Sequence, residues 1–175
     1  MKKIFIIAFL TLIVFVSCNK EEAEGKFHVS FSVNGVNKTF TGHVFAHTET
    51  SGDYTVLTVN GSNTSTSFDN YLGFYLDNFP GRGNITTGQY EDISNNYTLL
   101  STYAVDGVEY EAGQSVAEDA ESYNINLANH FKVNITSMDA NTIRGTFSGD
   151  YYEDGDVQNG IKLNITNGEF YAEFQ

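Results

Sequence analysis

The sequence predicts an all-β protein, an antiparallel β-sandwich of about ten strands, on three observations. Lys26 to Val33 alternates strictly, with Phe27, Val29, Phe31 and Val33 on one side, the period-2 pattern of a half-buried strand. Asn34-Gly35 and Asp106-Gly107 each separate two such runs, and both dipeptides accept the positive φ angles of a two-residue hairpin turn. Beyond the apolar N-terminal segment, no stretch sustains a helical period. A lipocalin-like β-barrel is the alternative way to close the same set of strands.

In chain order, the Asn34-Gly35 turn returns through Val36 to Phe40. His43 to Thr48 and Tyr54 to Val59 are the third and fourth strands, joined by Ser51-Gly52-Asp53, and Gly61 to Ser67 is a polar loop. Leu72, Phe74 and Leu76 then face one way while Tyr71 and Tyr75 face the other. Pro80-Gly81-Arg82-Gly83 breaks the chain, because Pro fixes φ and has no N–H to donate to a ladder. Tyr97 to Val105 turns at Asp106-Gly107 into Val108-Glu109-Tyr110. Residues 111–122 carry Glu111, Glu118, Asp119 and Glu121 with little apolar content and read as an acidic loop, with some helical character as the weaker alternative. Tyr123 to Leu127, Phe131 to Ile135, Thr142 to Asp150 with Tyr151 and Tyr152 following, Ile161 to Ile165 and Phe170 to Phe174 complete the strands.

Two short echoes run through the chain. Phe31-Ser32-Val33-Asn34-Gly35-Val36 resembles Tyr103-Ala104-Val105-Asp106-Gly107-Val108, and Lys132 to Thr136 resembles Lys162 to Thr166. Their brevity marks them as hairpins and strands obeying the same local rules rather than as a duplication.

The formal net charge is −13, and without Lys2 and Lys3 the chain has 7 basic against 22 acidic residues, or −15. Such acidity argues against nucleic acid and anionic lipid as partners, since phosphate binding needs clustered Lys and Arg. It suits solubility at a surface or the capture of cations. About 150 residues after the N-terminal segment make one domain, large enough to bury a core without metal or disulfide.

Lys2 and Lys3 precede Ile4 to Val16, an apolar run interrupted only by Thr11. The run is short for a membrane span, which takes about 20 residues, but fits the apolar core of a secretory signal. Phe15-Val16-Ser17-Cys18 follows, with the only cysteine of the chain. This stretch resembles the lipobox of bacterial lipoproteins, with Phe15 where Leu is usual. The resemblance implies that Cys18 is lipidated and becomes the mature N-terminus. Residues 1–17 are then a signal peptide, 18–25 the lipidated cysteine and a polar tether, and 26–175 a single β domain. Acyl chains contribute about 0.8 kcal/mol per buried methylene, and more than one chain anchors stably. Asn19-Lys20-Glu21-Glu22 resembles the surface-export signal of Bacteroidota lipoproteins, which implies an outer-membrane protein facing the cell surface.

Gly145-Thr146-Phe147-Ser148-Gly149 and Ile165-Thr166-Asn167-Gly168-Glu169-Phe170 resemble the ending of uncharacterised Bacteroidota lipoprotein domains. In these a Gly-Thr-Phe strand pairs with a terminal strand that bears an Asn-Gly turn. Phe31 to Gly35 and Thr87-Gly88-Gln89-Tyr90 fit the same pattern. The resemblance implies a β-sandwich of unknown function and carries no catalytic residues with it.

Residues able to carry chemistry are few. His43 and His47 share a strand face but stand about 13 Å apart, too far for one ion without a bend, and His28 and His130 have no partner nearby in sequence. Asp150, Glu153, Asp154 and Asp156 gather around Gly155 as a calcium candidate, although their spacing departs from an EF-hand loop and a solvated hairpin tip accounts for them better. Glu118, Asp119 and Glu121 are a weaker cluster. With 22 acidic residues, some pair will meet the spacing of a glycosidase by accident. No Gly-x-Ser-x-Gly elbow and no phosphate-cradling loop occurs. Tyr71 and Tyr75, with Phe79 at the strand end, form an outward aromatic group able to stack on a sugar or a protein partner.

The expected function is therefore a lipid-anchored, surface-exposed module that binds without catalysis, has no cofactor unless calcium, and engages an outer-membrane complex or a glycan. Alternatives are a carbohydrate-binding accessory lipoprotein of a glycan-uptake system, a lipocalin-like carrier of a small ligand, and a hydrolase with two converging carboxylates.

Overall fold

A computed structural model describes residues 27–65, 69–79, 84–94 and 96–175. The signal segment, Cys18, the tether and the Pro80 to Gly83 break lie outside the described residues. Within them the chain is all-β apart from one helix. The strands are β1 (His28–Val33), β2 (Val36–Phe40), β3 (His43–Ser51), β4 (Tyr54–Ser62), β5 (Tyr71–Asn78), β6 (Gly88–Glu91), β7 (Tyr97–Val105) and β8 (Val108–Gly113). Helix α1 (Gln114–Ser122) follows, then β9 (Lys132–Met138), β10 (Thr142–Glu153) and β11 (Lys162–Phe174).

The strands form two layers. One runs β2-β1-β11-β10-β9-β6 and the other β3-β4-β5-β7-β8. β10 and β11, the two longest strands, pair along most of their length and then cross to the second layer at their ends. There, Tyr152 and Glu153 of β10 pair with Glu111 and Tyr110 of β8, and Glu173 and Phe174 of β11 pair with Phe45 and Ala46 of β3. Hydrogen-bonded neighbours thus run around a full circuit, but two of its steps are only two residue pairs long, so this is not a clean barrel. The β11–β3 contact is parallel, which makes the sheet mixed rather than wholly antiparallel as expected.

The alternation read in the sequence lines the space between the layers. Val29 and Phe31 of β1, Leu57 and Val59 of β4, Leu72, Phe74 and Leu76 of β5, Ile143 and Phe147 of β10 and Ile165 and Phe170 of β11 are all buried. Phe74 meets Phe170 edge-on at 5.1 Å and Phe31 meets Tyr103 at 5.3 Å, so aromatic pairs join the two layers directly. Each such fully buried side chain contributes about 1.5–3 kcal/mol. Asn34 (φ 47°) with Gly35 (φ 84°), and Asp106 (φ 53°) with Gly107 (φ 79°), make the two hairpins with both central residues at positive φ, as read.

The eleven strands agree with the expected count of about ten. Three elements differ from the sequence reading. The acidic stretch splits, with Glu111 to Gly113 extending β8 and Gln114 opening α1. Helix α1 buries Val116 and Ala120, one turn apart, against Leu127 and Tyr152, a face too short to show as a period in the sequence. Tyr123 to Leu127 is not a strand: Tyr123 N–H bonds Asp119 O and Ile125 N–H bonds Ala120 O, so the helix C-terminus consumes this segment. Finally, Ile161 to Ile165 and Phe170 to Phe174 belong to one strand, β11, whose Asn167-Gly168 is a bulge and not a turn. Asn167 (φ 52°) is one residue more than either β1 or β10 supplies opposite it.

Candidate functional site

The outer face of the six-stranded layer carries a continuous polar row. Cross-strand register places Gln89 beside Asn134, Asn134 beside Thr146, Thr146 beside Glu169, and Glu169 beside Ser30. All alternate outward from the core, and all but half-buried Ser30 are exposed. Five strands at about 4.8 Å spacing make this row about 19 Å long. Lys132 and Ser148 form a second row beside it, and between the rows lies a groove of about 510 Å3 bounded on β11 by the Asn167 bulge. At one side the Arg144 guanidinium lies 3.8 Å over the Tyr171 ring, which also meets Phe27 edge-on at 5.0 Å. Amides, hydroxyls, one ammonium and one carboxylate offer both donors and acceptors, beside an aromatic edge.

The opposite outer face holds the tyrosines read from sequence. Tyr71 and Tyr75 flank Gly73 on β5 as expected, each half-buried, and the Asn60 side chain lies over Gly73 between them. Phe79 is half-buried just beyond the strand. The Tyr75 and Tyr54 hydroxyls both donate to Asp77 Oδ2, at 3.2 and 2.7 Å. Burial, followed by the Asp77 charge, raises the Tyr75 phenol above its ordinary range, and burial followed by Glu109 does the same for Tyr71. Both phenols are therefore neutral donors. This face is a packed polar–aromatic sheet surface.

The acidic quartet is not gathered around one point. Asp150 is buried on β10, where its oxygens accept from Asn129, Lys162 Nζ at 3.2 Å and Asn164 Nδ2 at 2.7 Å. Asp156 Oδ1 accepts the Gln158 and Asn159 N–H groups at 2.9 Å, which holds its carboxyl below the ordinary carboxylate range. Asp154 is exposed and Glu153 half-buried. Among the described residues, no three His, Cys, Asp or Glu side chains come together to hold a metal ion. His47 Nδ1 lies 3.0 Å from Gln175 O, and His43 packs on Phe45 at 4.8 Å.

One arrangement escaped the sequence reading. Asp92, in the β6–β7 connection, is buried and accepts from His130 Nδ1 at 2.8 Å and from the Phe131 N–H at 2.8 Å. The Asp92 N–H returns a bond to Phe131 O at 3.1 Å. Burial pushes the Asp92 carboxyl up, opposed by the Phe131 N–H and by His130. The partners are 38 residues apart in the chain, and only the β6–β9 pairing brings them together.

Comparison with protein-family models, with curated proteins and with solved structures finds no match for this chain.

Proposed function

We propose that the protein is a lipid-anchored envelope protein, exposed at the outer-membrane surface, whose six-stranded outer face binds an oligosaccharide without catalysis. The row Gln89–Asn134–Thr146–Glu169–Ser30 carries this reading. A hydroxyl-rich ligand needs alternating donors and acceptors on a shallow surface, and this row supplies them over about 19 Å. On the far side of the row from the groove, Tyr171 adds an aromatic ring that Arg144 covers. The anchor reading rests on Phe15-Val16-Ser17-Cys18, and the surface reading on Lys20-Glu21-Glu22. An accessory role in a glycan-uptake system follows from such binding.

Two measurements test it. Protease applied to intact cells should remove the native domain, and a Cys18→Ala variant should leave the membrane fraction. An oligosaccharide array should find ligands that an Asn134→Ala/Thr146→Val double variant no longer binds; both positions are exposed, so the fold is kept. A domain protected from protease rejects the surface location, and equal glycan binding by the double variant rejects this face.

A further inference from the structure

A pocket of about 360 Å3 lies at the end of the sandwich where β5 stops, within the size range of small-molecule sites. Asn78, the last residue of β5, lies two places beyond buried Leu76 and so faces the same side. It is only 7% exposed, it lines the pocket, and its carboxamide has no hydrogen-bond partner among the described residues. Asn84 and Asn96, both exposed, bring two more carboxamides to the lining, and buried Leu76 and Ile85 bring carbon. Two tyrosines complete it. The Tyr90 hydroxyl accepts the Thr86 N–H at 3.0 Å and donates to Thr86 O at 2.8 Å, which fixes the segment before β6. Tyr97 meets the Tyr90 ring edge-on at 5.0 Å, and its hydroxyl accepts the Glu91 N–H at 2.6 Å. Although the chain has 22 acidic and 9 basic residues, none stands among the described residues that line this pocket.

We infer that the pocket holds one uncharged sugar ring of the same oligosaccharide that lies on the polar row, an inference that rests on the oligosaccharide reading of that face. The two places share an edge strand. β6 pairs with β9 and ends the sheet; its Gln89 closes the row on the outer face, while the next residue, Tyr90, faces inward and lines the pocket. A ligand on the row therefore reaches the pocket by crossing one strand. A carboxamide donates and accepts at neighbouring atoms, and each sugar hydroxyl does the same, so Asn78, Asn84 and Asn96 match a ring of hydroxyls. The tyrosine rings meet its carbon–hydrogen faces. A charged ligand finds no counter-charge here, and an apolar one leaves the Asn78 carboxamide desolvated without a partner.

Calorimetry and resonance mapping on the folded domain test this, with the methyl pyranosides of glucose, galactose and mannose as probes. At least one should bind saturably and shift the side-chain amide resonances of Asn78, Asn84 and Asn96. It should bind at least about tenfold tighter than its uronate counterpart and than cyclohexanol. An Asn84→Ala/Asn96→Ala double variant, altered only at exposed positions, should lose about tenfold in affinity for that glycoside and for the oligosaccharides found on the array. No shift at the three asparagines with any of the glycosides, or unchanged binding by the double variant, overturns the inference. The row variant Asn134→Ala/Thr146→Val separates the two readings. Oligosaccharide binding lost in the row variant but kept in the pocket variant leaves the outer face standing and rejects the pocket. Oligosaccharide binding kept in the row variant rejects the outer face, and with it the shared ligand.

Discussion

The Tyr151 hydroxyl lies 2.7 Å from Ser101 Oγ, a buried contact that ties β10 of one layer to β7 of the other. Ser101 spends its single proton on Gly73 O at 2.8 Å, so Tyr151 is the donor to Ser101. Tyr151 is fully buried, and burial drives its phenol above the ordinary range. The two substitutions here should be unequal. Tyr151→Phe removes one donor and should cost about 0.5–1.5 kcal/mol, whereas Ser101→Ala leaves the buried Tyr151 hydroxyl without its acceptor and should cost about 1–3 kcal/mol. Urea unfolding of both singles and the double variant measures this, and strict additivity would contradict the shared bond.

Asn167 should tolerate glycine and reject valine. Its φ of 52° is accessible to Asn and Gly but costs a β-branched residue about 1–2 kcal/mol. Unfolding midpoints compare Asn167→Gly with Asn167→Val. Equal stability of the two would mean that the bulge does not need this backbone state.

Gly113 should be irreplaceable where β8 meets α1. Its φ is 110°, and a Cβ would lie 2.2 Å from Leu99 O, a backbone atom that cannot rotate away. Gly113→Ala should cost about 1–3 kcal/mol or more and loosen α1 first. Hydrogen exchange at Val116 to Ala120 reports that loosening.

Acid should weaken the domain through Asp139. Its Oδ1 accepts the Asn141 and Thr142 N–H groups at 2.8 Å, and these bonds hold its carboxyl below the ordinary 3.8. A depressed carboxylate stabilises the fold fully above its unfolded value and loses that contribution as pH falls through the folded one. Asp139→Asn keeps the acceptor but cannot titrate. The stability advantage of the natural chain over this variant should therefore shrink between about pH 5 and about pH 2 in urea unfolding. A constant difference would show that Asp139 is not part of the acid response.

The polar row and the tyrosine face were legible in sequence only as parity, because a strand pattern says which residues face outward and not which strands are neighbours. Thr146 and Asn134 lie in adjacent strands of the chain, yet Glu169 and Ser30 meet across nearly its whole length. The Asp92–His130 pair is another case: neither residue has a local signature, and the contact exists only because β6 pairs with β9. Helix α1 was hidden for a different reason, since its buried face is two residues, Val116 and Ala120.

By itself the sequence determined the all-β class, the two positive-φ hairpins and the sidedness of β1 and β5, because backbone sterics and period-2 burial act locally. It also marked Asn167-Gly168 as a break, since buried Ile165 and Phe170 are five residues apart and unbroken alternation cannot bury both. Only the tertiary structure decided that the break is a bulge within one long strand. It likewise decided that β10 and β11 cross between layers, that Asp150 is spent on Lys162 and two asparagines, and that buried Asp92 meets His130. Those outcomes depend on which strands pair, and pairing is fixed by the burial of the whole core rather than by any residue's neighbours in the chain.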